Sequence, residues 1–172
     1  ITCVDALLGT DMERVCRKAE EYAQIPVKPC YMYALTREGR KPPMVHVRQS
    51  IYSLLEPKKK KGTVVNLLGY FSPIIDDCEL YDLLHGAGVK TIHEISRCKD
   101  YEEDQTMAEA NFNLVLHPEA RFAAEDFHDR LKIPYIELRR LYQIDKIASQ
   151  YRAFGAALGI EFDDEKQRKE AE

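Results

Sequence analysis

Apolar positions recur at helical spacing in the first third of the chain and then switch to short β-rich runs that alternate with helical stretches. Thr10-Asp11-Met12-Glu13 reads as a capping box that starts a helix, with Met12, Val15, Cys16, Ala19, Tyr22 and Ala23 on one inward face. Ile25-Pro26-Val27 reads as a short strand, limited by its proline to a strand start or edge. A polar connection from Tyr31 to Pro43 precedes a second helix that carries Met44, Val47, Ile51, Leu54 and Leu55 on one face. Pro57 and the four lysines Lys58, Lys59, Lys60 and Lys61, followed by Gly62, form a solvated linker and the best candidate for a domain boundary.

From Thr63 onward the alternation is regular. Thr63 to Leu68 is an apolar strand, Gly69-Tyr70-Phe71 the turn after it, and Ser72-Pro73 the N-cap and first residue of a helix that buries Leu80, Leu83 and Leu84. Val89 to Ile95 is the next strand and Tyr101 to Ala110 the next helix. Phe112 to Leu116 is a third strand, followed by a helix whose inner face is Ala120, Ala123, Ala124, Phe127 and Leu131. Ile133 to Leu138 is a fourth strand, and a last helix turns Ile144, Ile147, Ala148, Tyr151 and Leu158 inward before Gly159. Strands alternating with helices of this length predict an α/β fold: an open parallel sheet of βαβ units with helices on both faces. The charged tail from Asp163 to Glu172 is expected to fray.

Charge narrows the function. The 25 basic and 29 acidic residues give a net charge of −4, which disfavours a nucleic-acid partner. No apolar run approaches a membrane span, and no signal segment opens the chain, so no membrane partner and a cytoplasmic location are expected. Cys3, Cys16, Cys30, Cys78 and Cys98 stand singly with no C-x-x-C pair, against a zinc ribbon or thioredoxin-type motif. Lone cysteines in a reducing compartment are mostly small buried hydrophobes; Cys3, ahead of any element, is the exception. The opening on Ile1 suggests a piece excised from a longer protein.

Dinucleotide, P-loop, nucleophile-elbow and H-E-x-x-H motifs are all absent from the sequence. His117 stands out because it follows the third strand, and ligands of open parallel sheets bind outside the carboxyl ends of the strands. It is read either as a ligand contact or as a strand-end imidazole bonded to a backbone carbonyl. Tyr70, Phe71 and Ser72, after the first strand of the regular region, face the same crevice, and Ser72 has helix capping as its alternative role. His46, His85, His93 and His128 read as surface or packing residues.

Several segments, in order, resemble the nitrogenase component 1 family. Thr2-Cys3-Val4-Asp5-Ala6-Leu7-Leu8-Gly9-Thr10-Asp11 is similar to that family's cysteine, apolar pair and Gly-Asp-Asp, with Thr10 in place of the first aspartate. Val65-Asn66-Leu67-Leu68-Gly69 resembles its second-domain opening, and Leu83-Leu84-His85-Gly86-Ala87-Gly88-Val89 its L-L-x-x-x-G-[IV] segment. Ala108 to Val115 and Ile133-Pro134-Tyr135 continue the match, so that it spans Cys3 to Leu158.

The resemblance implies a Rossmann-like α/β fold and divides the chain into 1–61, the end of the first nitrogenase-like domain with its linker, 62–162, the second domain, and 163–172, a tail. It implies an oxidoreductase subunit that holds a metal cluster or tetrapyrrole-type substrate and receives electrons from an ATP-dependent iron-protein reductase. Its alternatives are a non-catalytic scaffold for metal-cofactor assembly and a small-ligand-binding domain without redox role. Cys3 matches a ligand of an iron–sulfur cluster shared with a second nitrogenase-like subunit, and iron–sulfur sites need several converging thiolates, so this chain alone would not hold one. His117 matches the position of a cofactor-holding cysteine, with Gly69, Tyr70 and Ser72 as pocket wall. Tyr31 stands where the family loop usually has glycine, which would block close approach to a cofactor and points to a substrate other than dinitrogen.

Overall fold

The computed structural model describes residues 8–31 and 41–160. Two helices, α1 (Met12–Ala23) and α2 (Pro43–Tyr52), precede β1 (Lys61–Leu68). Then come α3 (Glu79–Gly86), β2 (Thr91–His93), α4 (Tyr101–Gln105), β3 (Ala110–Val115), α5 (Arg121–Leu131), β4 (Tyr135–Glu137) and α6 (Ile144–Leu158). Short 3-10 turns at Ile95–Arg97, Thr106–Glu109 and Pro118–Ala120 join them. The four strands are parallel, in the order β2-β1-β3-β4, which is the open α/β sheet expected from the sequence.

Both faces of the sheet are covered, which is why β1 is continuously buried from Val64 to Leu68 rather than alternating. On one face Val64, Leu68 and Val115 pack against Tyr52 and Leu55 and against Ala123, Phe127 and Leu131 of α5. On the other, Val65, Leu67 and Leu114 pack against Leu84 of α3 and Phe154 of α6. Helix α2 joins the first layer directly: the Tyr52 and Phe127 rings meet edge to face at 4.9 Å. Arg130 donates to the carbonyls of Tyr52 (2.9 Å) and Leu55 (2.5 Å), tying α5 to the end of α2 and the turn that follows it. Two amides lie inside the sheet, where Asn66 Nδ2 donates to Asn113 Oδ1 (2.8 Å) and to the Met107 carbonyl (2.9 Å).

Several local expectations are corrected. Asp11, not Thr10, caps α1, its carboxylate accepting the Arg14 N–H at 2.9 Å. Of the predicted inward stripe of α1 only Cys16 is buried; Val15 is 49% and Tyr22 94% exposed, because no element among the described residues covers that face. Ile25-Pro26-Val27 is not a strand, having no ladder partner among the described residues. In α2 the inward residues are Val45, Arg48 and Tyr52, with Met44 outside. The helix after β1 starts at Glu79 rather than Pro73. Its place is taken by a loop whose Ile74 N–H is accepted by the buried Glu94 carboxylate (3.0 Å) while its carbonyl accepts from Arg97 (2.6 Å), so side chains supply the bonds a first helical turn would have made. In α6, Ile144 is exposed and Phe154 is the buried anchor.

Candidate functional site at the carboxyl end of the sheet

The chain leaves β1 through α3 toward β2 on one side, while β3 pairs with β1 on the other. Helices α3 and α5 pack on opposite faces. The point where the winding reverses therefore lies between the carboxyl ends of β1 and β3, the position where open α/β sheets bind ligands. Gly69 and Tyr70 leave β1 there, and Leu116 and His117 leave β3.

Gly69 is needed for the closeness of these two ends: a Cβ on it would meet Leu116 Cβ at 3.3 Å, while the Leu116 N–H donates to the Leu68 carbonyl at 2.8 Å. Tyr70, half-exposed, lays its ring against the His117 imidazole. Phe71 is pinned from the other side by the buried Arg48, whose guanidinium lies 4.4 Å from the ring centroid. His117 caps the 3-10 turn Pro118–Ala120, its Nδ1 accepting the Glu119 N–H at 3.3 Å. An acceptor bond at Nδ1 places the proton of the neutral ring on Nε2.

Two hollows flank the Tyr70–Leu116 ridge. The larger, about 660 Å³, is lined by Tyr70, His117, Arg121, Glu137, Arg139 and Arg140, with Leu116, Pro118 and Leu138. Glu137 accepts from Arg121 Nη2 through both oxygens (2.9 and 2.6 Å) and from Arg139 (3.3 Å). The smaller, about 230 Å³, is apolar apart from Glu94 and includes Leu67, Gly69, Ile74, Cys78 and Leu80. Glu94 is bonded to the Tyr81 hydroxyl; burial and that neighbouring carboxylate push the Tyr81 phenol up to about 12. A third hollow, away from the sheet ends, has Tyr31 and Lys28 in its wall with His46 of α2.

Of the residues singled out from sequence, Gly69, Tyr70 and His117 come together at the crevice, Ser72 is exposed in the following loop and lines none of these hollows, and Cys3 lies outside the described residues. The basic wall of Arg121, Arg139 and Arg140 and the Glu137 that ties it were missed. Part of the signal was available: Arg139 and Arg140 follow the predicted fourth strand just as His117 follows the third. No group of three or more His, Cys, Asp or Glu side chains able to hold a metal ion is found among the described residues. No helix among them is long and apolar enough to cross a membrane.

Comparison with known proteins agrees with the resemblance. A family profile described as Nitrogenase component 1 type Oxidoreductase matches residues 1–172. The nitrogenase iron-molybdenum cofactor biosynthesis protein NifE of a Nostoc species is 26% identical over 162 residues, covering 92% of this chain and 34% of the relative. Its Klebsiella pneumoniae counterpart is 27% identical over 185 aligned positions, covering 99% of this chain and 39% of the relative. The chain thus spans about a third of the length of the curated relatives it matches. The solved structure of "Nitrogenase Cp1 at pH 6.5" superposes with a TM-score of 0.66 at 17% identity, covering 94% of this chain and 40% of that one, a likeness of fold. The chain belongs to the nitrogenase component 1 type oxidoreductase family.

Proposed function

We propose that this chain is part of a subunit that assembles a nitrogenase-type metal cofactor and hands it on. The reading is supported by the relatives, whose names place them in iron-molybdenum cofactor biosynthesis. The observation that carries it is the donor set at the β1–β3 crevice: one imidazole and one phenol beside three arginines and one glutamate. A bare cation would need several anionic or imidazole ligands converging. This set instead fits a metal–sulfur cluster of net negative charge, held by few ligands and by surrounding cations, which suits a cofactor that must later leave. His117 would contact it through its Nε2–H, donating to a cluster sulfide, with Gly69 and Tyr70 as the wall and Ser72 in the loop beyond. Such a cluster, when bound, supplies redox-active iron and sulfide; the protein's part is to orient it and balance its charge.

In this reading residues 1–61 belong to the first nitrogenase-like domain and 62–162 to the second. Cys3 contributes one thiolate to an iron–sulfur cluster completed by other cysteines and shared with a second nitrogenase-like subunit. An ATP-dependent iron protein supplies electrons, in the cytoplasm. The second reading, a catalytic reductase of a metal-bound or tetrapyrrole-type substrate, is favoured by the family to which the chain belongs. Anaerobic reconstitution of the full-length protein with iron and sulfide, with metal analysis and EPR, tests the cluster: Cys3→Ala is expected to lose a stoichiometric cluster that wild type holds. Transfer of the cofactor without multiple-turnover reduction supports assembly; sustained reduction would replace it by the reductase reading.

A further inference from the structure

We propose that Arg48, Tyr52 and Asp104 enclose an internal water site behind the crevice, and that this hydrated pair of charges, acting through Phe71, makes Arg48 a positioning residue for the Tyr70 wall. Arg48 is a full cation on α2 with only 3% of its surface exposed. Its Nε and Nη1 are shielded from solvent and have no hydrogen-bond partner among the described residues. The Phe71 ring, 4.4 Å from the guanidinium, attracts the charge but cannot replace the acceptors that Nε and Nη1 require. Burying a cation in this way is costly unless other groups meet its donors.

The groups able to meet them lie close by and are unpartnered too. Tyr52 follows Arg48 by one helical turn, so the two side chains rise from the same face of α2. Asp104 is brought up by α4. The neighbouring Gln105 donates to the Leu54 carbonyl (2.8 Å) and accepts the Glu56 N–H (3.1 Å), which locks the end of α4 against the turn after α2. The Tyr52 hydroxyl and Asp104 Oδ1 are both buried without a hydrogen-bond partner among the described residues. The Tyr52 phenol registers these neighbours: burial pushes it up to about 12, while Arg48 pulls it down and Asp104 pushes it up.

Two guanidinium donors face one carboxylate acceptor, with a hydroxyl that can do either, so a bridging molecule must accept on one side and donate on the other. An anion would be repelled by Asp104 and a cation by Arg48, which selects a neutral ligand. Water has this chemistry, and a buried water typically makes about three such bonds. Because the atoms are already shielded, neither a further part of the full-length protein nor a macromolecular partner reaches them. Arg48, Tyr52 and Asp104 line none of the hollows described above, so the site is separate from the one assigned to a cofactor. Its link to the crevice is Phe71, the residue after Tyr70, and the Tyr70 ring lies against His117.

The test uses the full-length protein without metal, so a failure to assemble a cluster counts against the cofactor reading and leaves this one standing. A crystal structure at a resolution that shows ordered water is expected to place at least one water within hydrogen-bond distance of Arg48 and of Asp104 or Tyr52. A direct Arg48–Asp104 ion pair, a bound molecule other than water, or groups left unbridged would overturn the site. In NMR of the His117 ring, Arg48→Met, which keeps the length of the side chain without its donors, should move the ring-proton shifts. Asp104→Asn, which keeps the shape and removes the charge, should move them in the same direction by less, and it supplies the measurement if Arg48→Met does not fold. Packing of Arg48 on Phe71 alone would leave the Asp104→Asn shifts at their wild-type values, and that result overturns the positioning role.

Discussion

The imidazole of His117 and the phenol ring of Tyr70 lie with centroids 4.8 Å apart and planes inclined by 60°. They are the second residues beyond the ends of β3 and β1, so the contact ties together the two strand ends that flank the crevice. A tilted aromatic pair of this kind contributes ~0.5–1.5 kcal/mol beyond its buried area. Tyr70→Ala is expected to leave global stability within about 1 kcal/mol, because Tyr70 is half-exposed, yet to free the His117 ring. NMR of the His117 ring protons reads this directly: Tyr70→Phe should preserve their shifts and Tyr70→Ala should move and broaden them.

Gly69 is predicted to resist enlargement. With Leu116 Cβ 3.3 Å from the position of its missing Cβ, Gly69→Val would have to push the two strand ends apart. Overpacking of this kind costs ~1–3 kcal/mol. Chemical denaturation should show a clearly lowered midpoint for Gly69→Val and a smaller drop for Gly69→Ala; an unchanged midpoint in both would mean that the crevice is looser than this distance requires.

The Asn66–Asn113 pair gives a double-mutant cycle. Asn66→Leu leaves Asn113 Oδ1 and the Met107 carbonyl without their donor inside the sheet, and Asn113→Leu removes the acceptor, so each single change is expected to cost about 1–3 kcal/mol. The double variant should cost less than the sum, with a coupling of ~1 kcal/mol or more, because one unpaired amide no longer faces an apolar neighbour. Additive single costs would show that the amides act independently.

Arg130 holds α2 to α5. It bonds Asp126 at 2.7 Å along its own helix and the carbonyls of Tyr52 and Leu55 across the interface. Arg130→Ala should cost about 1–2 kcal/mol, reduced from the value for buried charged hydrogen bonds because the side chain is one-third exposed. Arg130→Lys should recover only part, since an ammonium cannot address three acceptors in one plane. Hydrogen exchange should report faster opening of α2 in the alanine variant than of β1 or β3.

Alkaline pH should destabilise the fold. Burial, with acidic neighbours, pushes the Cys98 thiol from 9.0 up to about 11, and burial pushes the Tyr52 phenol from 10.0 up to about 12. The unfolded chain ionises first, so the stability these groups contribute is complete below pH 9 and is lost as pH rises through 11 for Cys98 and 12 for Tyr52. Denaturation midpoints measured across this window should fall, and the fall should be shallower in Cys98→Ala and in Tyr52→Phe.

The strand pattern was legible because a parallel sheet covered on both faces writes itself as dense apolar runs, as in Val64 to Leu68, broken only by Asn66, and Leu114 to Leu116. The inner face of α5 was equally plain, since Ala120, Ala123, Ala124, Phe127 and Leu131 are all buried. Gly69, Tyr70 and His117 could be placed at one crevice because their position follows from strand ends alone. What local sequence could not give was decided across the chain. The Ser72-Pro73 helix start lost to bonds from Glu94 and Arg97, some twenty residues on, and the α1 stripe carries periodicity without a partner to bury it. The arginine wall was half legible: Arg139 and Arg140 follow the predicted fourth strand, but Arg121 joins them through a bond to Glu137 made from the start of α5, which no local pattern announces.

The edge strands β2 and β4 are three residues each, against eight and six for the central pair. A row of unpaired backbone donors and acceptors that short offers little template to an extended foreign strand. The sheet is thereby shielded from edge-to-edge aggregation while its long, apolar central strands stay enclosed. Substitutions that lengthen β2 past His93 or β4 past Glu137 would therefore threaten solubility before they threatened the fold.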